Sequence, residues 1–290
     1  MNGVVNVLKP PSMSSNGVTV YLKRLLDEKR VGHAGTLDPG AAGVLVVLLG
    51  RSSRLSDYLM GHDKTYIAEM HLGCTTDTLD SYGAICKQQT PKQAYTVTQI
   101  QQAADGFVGE ITQIPPAYSA IKVDGKKSYE LARKGINVQK APRKITIHDI
   151  RVLEQTGPMQ FLMEIRCSKG TYIRTLLEDI AASIGELAYT SLLVRSCSGD
   201  HDISRAYTLD EIAAMVQAGD DSFCIPLEQV VEDLPKVYLQ SNQKFAVENG
   251  QRLRYTGELP QGQFALYCGD TFYGIGIAED GCPKLKIPLY

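Results

Sequence analysis

The segment Gly32-His33-Ala34-Gly35-Thr36-Leu37-Asp38-Pro39-Gly40-Ala41-Ala42-Gly43 constrains this chain more than any other. Four glycines in twelve residues open backbone conformations that other residues resist, and Pro39 fixes one φ angle. The next six residues, Val-Leu-Val-Val-Leu-Leu at 44–49, read as a buried strand. A tightly folded loop that feeds such a strand presents a single carboxylate, Asp38. Its spacing excludes several familiar loops. No Gly-Lys-Ser/Thr closes it as in a P-loop, and it is neither G-x-G-x-x-G nor the G-x-S-x-G nucleophile elbow. By composition alone two roles for Asp38 stay open: closure of an Asx-turn, or a catalytic group at the floor of a cleft.

Around this loop the apolar pattern predicts an alternation of strands and helices. Residues 3–8, 66–72, 145–153 and 161–167 read as strands. Ser14 or Ser15 caps a first helix, with Val18, Tyr21, Leu22, Leu25 and Leu26 on one side. Residues 97–108 and 209–216 read as further helices. The clearest helix spans 172–187, where Ile173, Leu176, Leu177, Ile180, Ile184 and Leu187 share a face. After Pro235 the texture changes to short apolar or aromatic runs separated by Gly-Asp and Glu-Asp-Gly turns, the pattern of a small all-β module.

At 290 residues with 43% apolar content, the chain can bury a real core and has room for one large domain plus a small one. The longest apolar stretch, Ala41 to Leu49, is far short of the ~20 residues a membrane helix needs. The N-terminus lacks a signal-peptide layout, so a cytoplasmic location is expected. Seven scattered cysteines without C-x-x-C read as free thiols. His71 and Cys74 have a metal-compatible spacing but no second pair nearby, so no metal is expected.

The net charge of −2 hides a segregation. From Lys122 to Arg151 there are nine basic residues against three acidic ones; from Gly199 to Pro235 there are nine acidic residues against one basic. Electrostatic fields act locally, within a Debye length of ~8 Å at physiological salt. The basic stretch is therefore either a phosphate-binding surface or a solvated face.

Five further segments join the Asp38 loop in a resemblance. GVVNVLKP (3–10), DKTY (63–66) with GCTTDTLD (73–80), PPAYSAIKVDG (115–125), YELARKG (129–135) and CSKGTYIRTLL (167–177) stand in the order found in the pseudouridine synthases. The chain as a whole resembles the bacterial TruB-type tRNA pseudouridine-55 synthases. That resemblance implies an α+β fold, with a mixed, largely antiparallel central sheet, flanking helices and a small C-terminal β-barrel-like (PUA-like) module. It implies that residues 1–235 form the catalytic domain, with an RNA-clamping insertion at roughly 90–145, and that residues 236–290 form the RNA-binding module. The implied activity is isomerisation of uridine-55 in the T-loop of tRNA, without cofactor, metal or obligatory protein partner. The expected contacts are the T-arm and the acceptor stem. Alternatives are a tRNA-folding factor in which catalysis is secondary, or the catalytic subunit of a guide-RNA particle.

The same resemblance assigns residues to roles. Asp38 matches the family's nucleophile, attacking either ribose C1′ or base C6. Arg174 matches the arginine that aims it, and Tyr66 the tyrosine that stacks on the target base. His33 matches an RNA-contacting histidine, and Tyr172 and Leu193 match positions lining the uracil pocket. Lys9 matches a basic residue near the cleft, with phosphate contact and plain solvation equally open. Lys122, Lys126, Lys127, Arg133 and Lys134 are expected to meet RNA phosphates. One departure is Val194, where the family commonly has arginine.

Overall fold

The computed structural model describes residues 1–116, 122–123, 126–127 and 140–290. The expected side-chain roles of Lys122, Lys126, Lys127, Arg133 and Lys134 lie outside what is described. A large sheet organises the chain. Its strands are β1 (Gly3–Lys9), β2 (Val31–His33), β3 (Ala42–Leu49), β4 (Lys64–Leu72), β7 (Gly109–Gln113), β10 (Arg143–Gly157), β11 (Gln160–Cys167), β12 (Ala188–Ser198), β13 (His201–Asp202) and β14 (Cys224–Ile225). Two hairpins lie outside it: β5 (Cys74–Thr76) with β6 (Ile85–Gln88), and β8 (Lys122–Val123) with β9 (Lys126–Lys127). The order is β14-β1-β3-β12-β4-β11-β10-β7, with β2 beside β3 and β13 beside β12. Every pairing in it is antiparallel except β3 with β12. That parallel pair is short, joining Val194 to Ala42 and Arg195 to Gly43. The approach there is so close that a Cβ on Gly43, whose φ is +106°, would collide with the Arg195 backbone, so only glycine fits.

The sheet is covered by helices α1 (Ser15–Leu25), α2 (Val97–Asp105), α3 (Ile173–Ser183) and α4 (Leu209–Gln217). Ser14 caps α1 by accepting from the Gly17 amide. Thr96 with Gln99 and Thr208 with Glu211 form capping boxes for α2 and α4. One core lies between α2, α3 and β4, β10, β11; it contains Ile100, Ile147, Phe161, Met163, Leu176, Leu177 and Ile180. A second, including Val5, Val7, Val18, Leu22, Leu45 and Ile212, sits under α1 and α4. Tyr66 and Leu193 pack against both cores. The seam between the two helical layers runs under the parallel pair, beside the Asp38 loop.

The C-terminal part forms a four-stranded sheet, β15 (Lys236–Leu239), β16 (Gln263–Cys268), β17 (Thr271–Glu279) and β18 (Cys282–Pro288), in that order. It has its own core of Val237, Leu239, Val247, Leu253, Phe264 and Leu266. Its other face is not free. Ala265, Tyr267, Phe272, Ile275 and Leu289 pack with Val4, Val44, Val46 and Leu48 of the large sheet. Burying those apolar faces against each other holds the module against the large sheet.

The helical pattern stops earlier than the 172–187 reading. α3 ends at Ser183, and Gly185 takes φ +75°, past the C-cap at Ile184. The sequence pattern also missed β12, the strand at the middle of the sheet. Register shifts between Thr190 and Leu192 and between Arg195 and Cys197 break its two-residue alternation.

Candidate active site

The first turn of α3 carries Arg174, a cation at the end of a helix where the macrodipole disfavours one. Its side chain is only 4% exposed, so it needs anionic partners. Two supply them. Its Nη2 lies 2.9 Å from Asp38 Oδ2, and its Nη1 lies 3.6 Å from Asp80 Oδ2. The Thr78 carbonyl also accepts from Nη1. One planar fork thus joins the glycine-rich loop to the segment after β5.

Asp38 keeps 40% of its side chain open to the cleft. Burial on its other side pushes its pKa above the ordinary 3.8; Arg174 opposes that rise, and the charge of Asp80 adds to it. The arginine therefore favours the ionised carboxylate against the effect of burial. Asp80 itself is fixed. Its Oδ1 accepts from Thr78 Oγ1 at 2.6 Å and from the Tyr82 amide at 3.0 Å. The preceding Leu79 is held at φ +61°, an uncommon conformation for a residue with a Cβ.

The cleft above this pair is lined by Asp38, Gly40, Ala41, Asp80, Ser81, Tyr82, Arg174, Thr190, Ser191 and Leu193. Of the residues expected from sequence, Asp38, Arg174 and Leu193 meet there directly. Tyr66, Tyr172, His33 and Lys9 are not among the residues lining it. Tyr66 lies in the seam between the cores, with the Arg195 charge acting on its hydroxyl. Burial raises the phenol's pKa, against the opposing effect of the Arg195 charge. Tyr172 is the residue before α3. Gln113, itself buried, grips it from both sides: its Oε1 accepts from the Tyr172 amide at 2.8 Å and its Nε2 donates to the Tyr172 carbonyl at 3.0 Å. The Arg143 guanidinium sits 5.6 Å from the centre of the Tyr172 ring. His33 is partly buried at the end of β2, where burial, together with the Arg195 charge, lowers its pKa. Its Nδ1 is buried without a hydrogen-bond partner among the described residues.

Lys9 corrects the sequence reading. It is neither solvated nor offered to a phosphate, but wholly buried. Its ammonium donates to the carbonyls of Pro10 (2.9 Å), Met13 and Pro39 (3.2 Å). Three donors meet three acceptors, so the group is saturated. It ties the end of β1 to the residue after Asp38. Burial lowers its pKa to about 8, and its charge favours the ionised Asp38.

Sequence reasoning gave no role to Asp80, Gln113 or Arg195. Arg195 is 1% exposed and donates to the carbonyls of Val44 (2.8 Å) and Gly35 (3.0 Å). It pins the start of the Asp38 loop to the sheet from below. The signal available was its place two residues after Leu193 on one strand, which puts both on one face. His71, spaced from Cys74 as for a metal, instead shares a hydrogen bond with the Tyr189 hydroxyl at 2.8 Å.

The fold is that of the pseudouridine synthases. Over 95% of its length the chain matches a chain in "Crystal Structure of a Cbf5-Nop10-Gar1 Complex" with a TM-score of 0.71, covering 78% of that chain at 28% identity. A second solved structure, "Structure of H/ACA RNP bound to a substrate RNA containing 2'-deoxyuridine", shares the fold at TM-score 0.72 and 24% identity, over 99% of this chain and 85% of that one. The sequence profile described as TruB family pseudouridylate synthase (N terminal domain) matches residues 23–173, and that described as Pseudouridine synthase II TruB, C-terminal, matches residues 235–284. Two relatives named tRNA pseudouridine synthase B are each 41% identical. One, from Caldanaerobacter subterraneus, aligns over 96% of this chain and 96% of its own length; the other, from an Azoarcus species, over 99% and 94%. A Streptococcus pyogenes protein of the same name is 37% identical over 90% of each chain. The chain belongs to the TruB family of pseudouridylate synthases. It is accordingly an enzyme, an isomerase that modifies RNA.

Proposed function

We propose that the protein converts uridine-55 in the T-loop of tRNA to pseudouridine, and that the ion pair between Asp38 and Arg174 at the foot of the cleft carries the chemistry. The reaction breaks the N1–C1′ bond, rotates the uracil and forms a C5–C1′ bond. A proton leaves C5 and N1 ends protonated, so no electrons are gained or lost. A single carboxylate can serve as the covalent catalyst. Asp38 attacks, Arg174 keeps it ionised and aimed, and Tyr66 and Leu193 bound the base. Bases in a folded arm are stacked, so the uridine enters extruded. In this reading His33, whose Nδ1 has no hydrogen-bond partner among the described residues, hydrogen-bonds the nucleotide as it turns out.

RNA is held outside the cleft by charge and shape. In this reading residues 1–235 catalyse, the insertion at roughly 90–145 clamps the T-arm, and residues 236–290 hold the acceptor stem. The basic residues Lys122, Lys126, Lys127, Arg133 and Lys134 belong to the clamp. No protein partner is required in this reading. The test is Asp38→Asn, assayed for pseudouridine in an unmodified tRNA transcript. Loss of turnover with retained RNA binding and an unchanged melting curve is expected. Normal turnover by the folded variant overturns the assignment.

A further inference from the structure

Tyr82 forms part of the wall of the cleft at Asp38, and the residue is 64% exposed. Its ring lies on Gly40 of the nucleophile loop, so closely that any Cβ at position 40 would collide with ring carbons.

The backbone beneath the ring is held rigidly. The Tyr82 amide donates to Asp80 Oδ1 at 3.0 Å, the Gly83 amide to the Asp80 carbonyl at 3.3 Å, and the Ala84 amide to Asp77 Oδ1 at 2.8 Å. The mount is fixed by the same Asp80 that orients Arg174, and the side chain is free to turn about its own χ angles. A large ring left in solvent beside a cleft offers a π-face for stacking on a base.

We propose that Tyr82 is an RNA-stacking residue at the mouth of the uridine site. As the extruded uridine enters, the ring leaves Gly40, opens the cleft and stacks on the base of a nucleotide flanking the uridine. This rests on the reading of the site as an RNA uridine isomerase. The chain contains no tryptophan, so Tyr82→Trp installs a sole indole reporter. In an Asp38→Asn background, titration with a T-arm stem-loop transcript is expected to quench that emission, saturating at the Kd measured separately by filter retention. In the active protein, Tyr82→Leu raises KM about tenfold, the lower part of the range for loss of one base–aromatic stack. It leaves kcat within about threefold and the melting temperature unchanged, because the side chain lies outside the core. Tyr82→Phe restores KM, which a role in folding or hydroxyl bonding would not predict. Wild-type turnover combined with an indole emission of the Tyr82→Trp variant that stays unmoved at saturating RNA, or with a wild-type KM for Tyr82→Leu, overturns the inference alone. A wild-type protein that forms no pseudouridine in the transcript overturns the functional reading, and the inference with it.

Discussion

Replacing Lys9 by methionine separates stability from function, because the two effects of the buried ammonium have opposite signs. Burial lowers its pKa from 10.5 to about 8, a cost of about 3 kcal/mol at neutral pH. Methionine removes that cost but leaves the carbonyls of Pro10, Met13 and Pro39 without their donor. Each buried acceptor so stranded costs roughly 1–3 kcal/mol. Three stranded acceptors cost roughly 3–9 kcal/mol against about 3 kcal/mol regained, so urea unfolding at pH 7 should place the variant between wild-type stability and about 6 kcal/mol below it. Activity has no such offset. The tether to Pro39 is lost, and a misplacement of about 1 Å at the adjacent Asp38, the proposed nucleophile, can cost up to ~100-fold in rate. We expect kcat to fall about ten- to a hundred-fold. The acid limb of the pH–rate profile should also move to higher pH, because a positive charge that favours ionised Asp38 is gone. Stability gives an independent check. Wild-type Lys9 is charged at a cost below pH 8, and the cost fades between pH 8 and 10.5 as the folded protein releases the proton first. Wild type should therefore gain stability relative to Lys9→Met across that window. A variant with wild-type kcat and an unmoved acid limb would refute the claim that Lys9 braces the Asp38 loop.

Two further substitutions probe the groups that hold the ion pair. Asp80→Asn keeps the Oδ1 acceptor but removes the charge facing Arg174, so kcat should fall about tenfold while KM holds. Because the Asp80 charge raises the pKa of Asp38, the acid limb should shift to lower pH in this variant, opposite to Lys9→Met; a shift in the same direction would contradict the assigned electrostatics. Arg195→Met strands the carbonyls of Val44 and Gly35 in the sheet, and unfolding should show a loss of about 2–4 kcal/mol. Arg195→Lys cannot reproduce a two-carbonyl fork, so equal stability of that variant would argue against the geometry.

The glycine-rich loop was legible because its composition is itself the constraint: so many glycines around one aspartate, ahead of an unbroken apolar strand, leave few alternatives. The strands and helices with clean periodicity appeared where expected, as did the change of texture near Pro235, because burial of one face leaves its period in the sequence. Resemblance then supplied Asp38, Tyr66 and Arg174. It did not supply the environment of Lys9, since a lysine followed by two prolines reads alike whether its ammonium meets water or three carbonyls.

Sequence by itself determined which residues carry charge, where the chain must turn and which faces need cover. Only the tertiary structure decided what those charges meet. Asp80, Arg195 and Gln113 act across 94, 160 and 59 residues of chain, on Arg174, Gly35 and Tyr172 respectively. Local propensity carries no information at such separations. Strand β12 was invisible for the same reason: its bulges erase its period, and its place at the middle of the sheet comes from partners on either side. An electrostatic site is a set of distances, and distances between remote residues exist only once the sheet has closed.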